Sequence, residues 1–255
     1  MNPVIGLDLG STAIKAVIVN DGEIIWRGKT PTAPDQEVLA NDLIGAGLRE
    51  LGLPADAKYP VASTGYGKSL YKAADLRTDE LSANARGLFK LSDGMARSLI
   101  NIGGQDLKTI KLSETGEVSD FRMNDKCAAG TGRFFELAAR LLNVPLSSFA
   151  ALSKEPGVSV ELNSTCVVFA ESEIVSLLAR GVPPQSVVRA LHASVARRAA
   201  GLLGRISSDA VWLDGGPAQN RGLVEAMEEE LLTEIKVTPE PQFTVAYGAA
   251  ISLVA

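Results

Sequence analysis

Histidine is nearly missing from this chain: its 255 residues hold one, His192, and only two cysteines, Cys127 and Cys166. Three such residues cannot complete a four-ligand Cys/His metal site, so any tetrathiolate centre requires two chains. A basic excess is lacking as well. Lys and Arg number 25 against 30 Asp and Glu, giving a net charge of −5 and a pI near 5.1. That balance argues against a nucleic-acid footprint or a basic membrane-surface patch. No apolar run approaches the length of a membrane span, about 18 residues. The stretch from Met1 to Asp8 has no positive region and an early acid, so no secretory leader is expected. The expected compartment is the cytoplasm, where structural disulfides are rare. The 24 Gly and 12 Pro follow no collagen-like period, and no low-complexity stretch occurs. What is present is an ordinary globular composition, 46% hydrophobic and 22% charged.

The pattern along the chain is α/β and it repeats. Val4 to Leu9 reads as a buried strand running into Asp8-Leu9-Gly10-Ser11-Thr12. Ala13 to Asn20 and Glu23 to Thr30 read as a hairpin across an Asn-Asp-Gly turn. Helical spacing over Asp35 to Leu51, a short strand over Lys58 to Ser63 and a helix over Asp79 to Leu91 complete the first set. The set then restarts: strand Leu99 to Gly103, turn Asn101-Ile102-Gly103-Gly104-Gln105-Asp106, strand Leu107 to Leu112, and a third strand near Val118 to Met123. Asp8 aligns with Asn101, Gly10 with Gly103 and Lys15 with Lys108, an offset of 93 residues. This predicts an internal duplication with domains 1–95 and 96–255, the last helix (about Val245 to Val254) able to pack back on the first domain. The second half is more helical: Thr131 to Leu142, Cys166 to Arg180, Pro184 to Leu203 and Pro217 to Thr233, with strand Ala210 to Asp214 between the last two.

Three strands end in small-residue turns, the third being Leu213-Asp214-Gly215-Gly216. Glycine there lets backbone N–H groups approach a phosphate with no Cβ in the way. Ser11, Thr12 and Lys15 would add donors and positive charge, and Asp8 and Asp106 supply the hard oxygens that Mg²⁺ prefers. Any one such turn is as readily a plain hairpin, whereas three in a duplicated frame point to phosphate. Ala62-Ser63-Thr64-Gly65-Tyr66-Gly67-Lys68-Ser69 is a near miss of a P-loop: Ala62 stands for the first Gly and no long apolar helix follows. The duplicated turns and the Asp214-Gly215-Gly216-Pro217 turn resemble the actin/sugar-kinase/heat-shock-chaperone ATPase superfamily. The resemblance implies duplicated ribonuclease-H-like (actin-like) domains that bind Mg-ATP in a cleft between them.

Cys127 lies in Asp125-Lys126-Cys127-Ala128-Ala129-Gly130-Thr131-Gly132-Arg133 and Cys166 in Asn163-Ser164-Thr165-Cys166-Val167-Val168-Phe169. Both are predicted at helix N-termini, where the macrodipole favours thiolate. A free thiol is more often a small buried hydrophobe. Matched helix starts favour a metal site, and two thiolates per chain, doubled by a twofold axis, make the four ligands of a [4Fe–4S] cluster. Cys127-Ala-Ala-Gly-Thr-Gly-Arg133, Cys166 with Ala170-Glu171-Ser172-Glu173, and Thr64-Gly65-Tyr66-Gly67 resemble the ATP-dependent activators of 2-hydroxyacyl-CoA dehydratases, in the group that includes the ATPase subunits of benzoyl-CoA reductase.

That resemblance implies a homodimeric ATPase that carries one shared [4Fe–4S] cluster and passes single low-potential electrons to a partner such as a dehydratase, fed by a ferredoxin or flavodoxin. By residue, it implies Asp8 and Asp106 at Mg²⁺, and Gly10, Ser11, Thr12, Lys15, Gly103 and Gly104 at the phosphates. Gln105 would place the attacking water, and Gly130, Thr131 and Gly132 would link the nucleotide to the helix behind Cys127. Gly215, Gly216, Asn220 and the Pro241-Gln242 segment would border adenosine. Asp214 and Pro217 depart from the Thr-Gly-Gly-Val turn of the family, and Asn84 stands where it often has His. The alternatives are a small-molecule (sugar-type) kinase and a non-enzymatic nucleotide-binding regulator of the same fold. His192, in a helix beside Arg197 and Arg198, is expected to be a solvated or packed side chain.

Overall fold

The computed structural model describes residues 2–163, 166–204 and 210–254; Ser164 and Thr165 of the second cysteine segment lie outside them. Two compact units emerge. The first comprises Met1–Ala96, Leu112–Ser119 and Thr238–Ala255, the second Arg97–Lys111 and Asp120–Val237.

The first unit is built on a five-stranded sheet in the order β3-β2-β1-β4-β5, with β1 Val4–Leu9, β2 Ala13–Asn20, β3 Glu23–Pro31, β4 Val61–Thr64 and β5 Leu76–Arg77. β1 runs antiparallel to β2 and parallel to β4, as a hairpin followed by a helical crossover requires. α1 (Gln36–Glu50) covers one face, where Ile5, Leu7 and Leu9 meet Ile44 and Leu48. α2 (Glu80–Leu91) and α8 (Thr244–Ile251) pack against each other, and α8 covers the opposite face, where Val4, Val17 and Val19 meet Tyr247, Ala250 and Ile251. β1 is therefore buried on both sides, which is why it reads as an unbroken apolar run. Close approach needs glycine here: a Cβ on Gly6 would overlap the Ala246 carbonyl, and one on Gly248 the Ala83 carbonyl.

The second unit repeats the plan in the order β10-β9-β6-β7-β8, with β6 Ser98–Ile102, β7 Leu107–Leu112, β8 Val118–Asn124, β9 Ala210–Gly215 and β10 Glu234–Val237. β6 pairs antiparallel with β7 and parallel with β9. Its helices are α3 (Gly132–Leu142), α4 (Phe149–Leu152), α5 (Val167–Ala179), α6 (Pro184–Leu203) and α7 (Arg221–Leu231). One core joins Ile100, Ile102, Val211 and Leu213 of the sheet to Phe134, Ile174, Leu191 and Val224 of the helices.

Several local expectations shift. The expected helix from Pro217 begins at Arg221, because Gly215 at φ +90° starts a 3-10 turn over Gly216–Gln219 first and Asn220 caps the helix. The Ala62–Ser69 segment ends β4 and turns, with no helix after it, unlike a P-loop. The edge strands β5 and β10 were not expected at all.

Candidate active site

The first turn hangs on its glycine. The Gly10 amide donates to the Ala13 carbonyl at 3.2 Å, closing the turn, and Thr32 ties it from outside: its Oγ1 donates to the Gly10 carbonyl at 2.7 Å and its amide to the Thr12 carbonyl at 3.0 Å. Lys15, opposite Asp8 in the β1–β2 register, forms an ion pair with Asp8 Oδ2 at 2.8 Å. Ser11 is partly exposed beside them. The Thr12 hydroxyl is buried and has no hydrogen-bond partner among the described residues. An orphaned donor in the turn between the strands that carry a carboxylate–ammonium pair suits an incoming phosphate with its divalent cation, and Asp8 offers the hard oxygen such a cation takes.

The second turn is built alike. The Gly103 amide donates to the Asp106 carbonyl at 2.9 Å, the same bond displaced by 93 residues. Asp106 pairs with Lys108 at 2.7 Å, both side chains nearly sealed from water. Gly104 and Gly103 remain partly accessible and Gln105 is exposed. The start of α3 is fastened to this turn by three bonds. Gly132 and Arg133 amides donate to the Gly103 and Gly104 carbonyls at 2.9 Å each, and Thr131 Oγ1 donates to the Gly104 carbonyl at 3.0 Å. The structure thus brings together Gly103, Gly104, Thr131 and Gly132, with Gly130 entering at φ +122°.

The third turn sits beside the second through β6. Asp214, fully buried, accepts from Asn101 Nδ2 at 2.6 Å. A Cβ on Gly215 would overlap the Ile102 carbonyl. Asn220 is already engaged: its Oδ1 accepts from the Gly222 amide at 3.1 Å, capping α7, and its Nδ2 meets His192 Nε2 at 2.8 Å. Gln242 is placed in the first unit, where its Oε1 accepts from Lys29 at 2.6 Å. Thr32 is a polar neighbour of these turns that motif reasoning passed over; Lys108 was signalled by its repeat position, and Asp214 and Thr64 lay in quoted motifs without an assigned role.

Cys166 occupies the N-cap of α5 in extended backbone conformation, and its side chain makes no capping bond. Cys127, expected just before a helix and counted with its N-terminus, stands four residues ahead of the α3 N-cap. It lies in the loop before α3, whose N-cap is Thr131, because the positive-φ Gly130 interrupts any earlier helical turn. Neither cysteine forms a disulfide among the described residues, both are half-buried, and Cys127 packs on the core of the second unit. Val168 and Phe169, just after Cys166, are each 68% exposed. Among the described residues no group of three or more His, Cys, Asp or Glu side chains is placed to hold a metal. Two half-buried thiols are the donor type a [4Fe–4S] cluster takes, and one chain would supply two of its four ligands.

A cavity of about 620 Å³ in the second unit is lined by Lys154, Arg189, His192 and Glu225. Its cations are spent, Lys154 on Glu225 at 2.9 Å and Arg189 on the Glu155 carbonyl at 2.6 Å, so the turns are the better phosphate site. His192 itself is packed, 2% exposed, with ring centroids of Phe135 and Phe149 at 5.9 and 6.4 Å. Burial lowers its pKa to about 4, against a smaller opposing pull from Glu225. The unfolded chain, at about 6.5, then binds more protons than the folded one below pH 6.5. Stability is complete above that pH and is lost as pH falls toward 4, by about 3 kcal/mol. Urea unfolding at pH 7 and pH 4.5 should show the loss in wild type and a smaller one in His192→Gln; equal losses would count against it.

The family is now decidable. A family model, the BadF/BadG/BcrA/BcrD ATPase family, matches residues 5–252. The chain belongs to this family. It is 42% identical to the activator of lactoyl-CoA dehydratase of Anaerotignum propionicum, over 97% of this chain and 95% of the relative. It is 40% identical to the (R)-2-hydroxyglutaryl-CoA dehydratase activating ATPase of Acidaminococcus fermentans, again over 97% and 95%. The solved activator of 2-hydroxyisocaproyl-CoA dehydratase from Clostridium difficile, with bound ADPNP, superposes with a TM-score of 0.90 at 38% identity, covering 98% of this chain and 93% of that one. This ATPase accordingly has the duplicated actin-like α/β fold. No described helix is long and apolar enough to cross a membrane.

Proposed function

We propose that this ATPase couples Mg-ATP hydrolysis to the transfer of single low-potential electrons onto a partner enzyme of the 2-hydroxyacyl-CoA dehydratase type, from a [4Fe–4S] cluster shared by two copies. The names of its relatives support the dehydratase link. The observation that carries the coupling is the set of three hydrogen bonds from Thr131, Gly132 and Arg133 to the Gly103-Gly104 turn, directly behind the Cys127 loop. A shift of this turn on binding phosphate must move the start of α3 with it.

The residues divide the work by chemistry. Gly10, Ser11 and Thr12, with Gly103 and Gly104, would offer N–H and O–H donors to the phosphates, and Lys15 a positive charge. Asp8 and Asp106 would hold Mg²⁺, directly or through its waters, and exposed Gln105 would orient the attacking water. Positioning and charge neutralisation dominate such phosphoryl transfers. Gly215 and Gly216 would meet adenosine through backbone, since the Asn220 amide is spent on His192 and Gly222; Gln242 would join from the first unit. Cys127 and Cys166 would each give a thiolate to the cluster, which supplies one-electron redox chemistry when bound. For ATP to drive transfer, it must bind the partner-competent conformation more tightly than the resting one. A ferredoxin or flavodoxin would recharge the cluster in the cytoplasm.

The test is anaerobic. Purified protein with reductant and a dehydratase should consume ATP in step with one-electron reduction of the partner, and the dimer should hold about four irons. ATP-dependent phosphorylation of a sugar by iron-free protein would favour a kinase instead. Nucleotide binding with neither turnover nor iron would leave a regulator.

A further inference from the structure

Thr64 carries a hydroxyl that nothing yet described uses. The residue is fully buried, and Oγ1 has no hydrogen-bond partner among the described residues. A donor sealed from water is costly to leave unpaired.

The sheet sets an acceptor opposite it. Thr64 ends β4 directly across from Asp8 on β1, and Lys15 stands across from Asp8 on β2. Neighbours in register share a face, so Lys15, Asp8 and Thr64 form one row on the side that α8 covers further along. Lys15 takes Asp8 Oδ2. Asp8 Oδ1 faces Gly65, where a Cβ would come within 2.6 Å of it, so glycine at φ +85° keeps room for the carboxylate to turn. The second unit carries the corresponding row, Lys108, Asn101 and Asp214, in the same register. There the bond between the β6 and β9 residues is made, Asn101 Nδ2 to Asp214 Oδ1 at 2.6 Å. The first unit leaves its counterpart unmade.

We propose that Thr64 is a positioning residue for Asp8: when phosphate draws Lys15 away, the carboxylate turns and accepts the Thr64 hydroxyl, which holds it in its cation-binding orientation. Asp8 thus has two docks, Lys15 without nucleotide and Thr64 with it. The inference rests on reading the Asp8 turn as the Mg-nucleotide site.

Calorimetric titration with Mg-ADP, together with thermal melting of the apoprotein, tests it. Thr64→Val keeps the shape and removes the donor. It should melt no lower than wild type, yet bind Mg-ADP about fivefold to tenfold more weakly. Thr64→Ser keeps the donor and should bind within about twofold of wild type, although its lost methyl lowers the melting temperature. Without nucleotide, Lys15→Met frees Asp8 to turn, so Thr64→Val should lower the melting temperature in that background only. Wild-type affinity in Thr64→Val, equal weakening in Thr64→Ser, or additive melting shifts would each overturn the proposal. Asp8→Ala separates the two levels. If it binds Mg-ADP normally, the nucleotide reading of the turn fails; if it binds weakly while Thr64→Val does not, only the role of Thr64 fails.

Discussion

Asp8→Ala is expected to slow ATP hydrolysis by about a hundredfold or more while leaving iron content and dimerisation untouched. The magnitude follows from removing a preorganised charge next to the reacting phosphate, where one lost group costs about 10²–10³ in rate. The fold should survive. Lys15, the ion-pair partner left behind, has a side chain 22% exposed and can reach water, and the turn itself is closed by backbone and by Thr32. Steady-state hydrolysis across Mg²⁺ and ATP concentrations, with iron analysis on the same preparation, reads the effect. Hydrolysis at the wild-type rate would mean that the first turn does not hold the reacting phosphate.

Cys166→Ala is expected to empty the whole dimer of iron, from about four atoms to nearly none, because two of four ligands vanish at once. The loss would not be a folding artefact: the Cys166 side chain makes no capping bond to α5, so alanine removes a ligand and little else from the helix start. A shared centre contributes association energy, so the iron-free variant should dissociate at protein concentrations where the holoprotein stays dimeric. Nucleotide binding should persist, since neither glycine turn contacts the thiol through any described bond. Sedimentation with parallel ATP titration distinguishes the outcomes. Full iron retention in Cys166→Ala, or a holoprotein that sediments as a monomer, would remove the structural basis for electron transfer.

The turns of the candidate site were legible because they are local. The Gly10–Ala13 turn bond and its copy at Gly103–Asp106 are four-residue events, and glycine with a nearby acid marks both. The start of α5 at Cys166 follows from the apolar run after it. The helix expected from Thr131 begins at Gly132 with Thr131 as its N-cap, so Cys127 stands four residues ahead of the cap, outside the helix terminus itself. β5 and β10 escaped notice because segments of two and four residues carry no readable alternation; as parallel edge strands they are set by β4 and β9.

By itself the sequence determined the α/β class, the three glycine turns and the two thiols, which are written in local patterns, and the duplication, which is the recurrence of one such pattern 93 residues on. Only the tertiary structure decided who faces whom. It returned Thr238–Ala255 to the first unit, laid α8 across Gly6, and paired Asn101 with Asp214 across 113 residues. It also set Thr64 opposite Asp8 with its hydroxyl unpaired. Strand register and burial come from pairing between distant segments, and a local pattern of side chains, which repeats identically whichever partner strand is chosen, does not encode that choice.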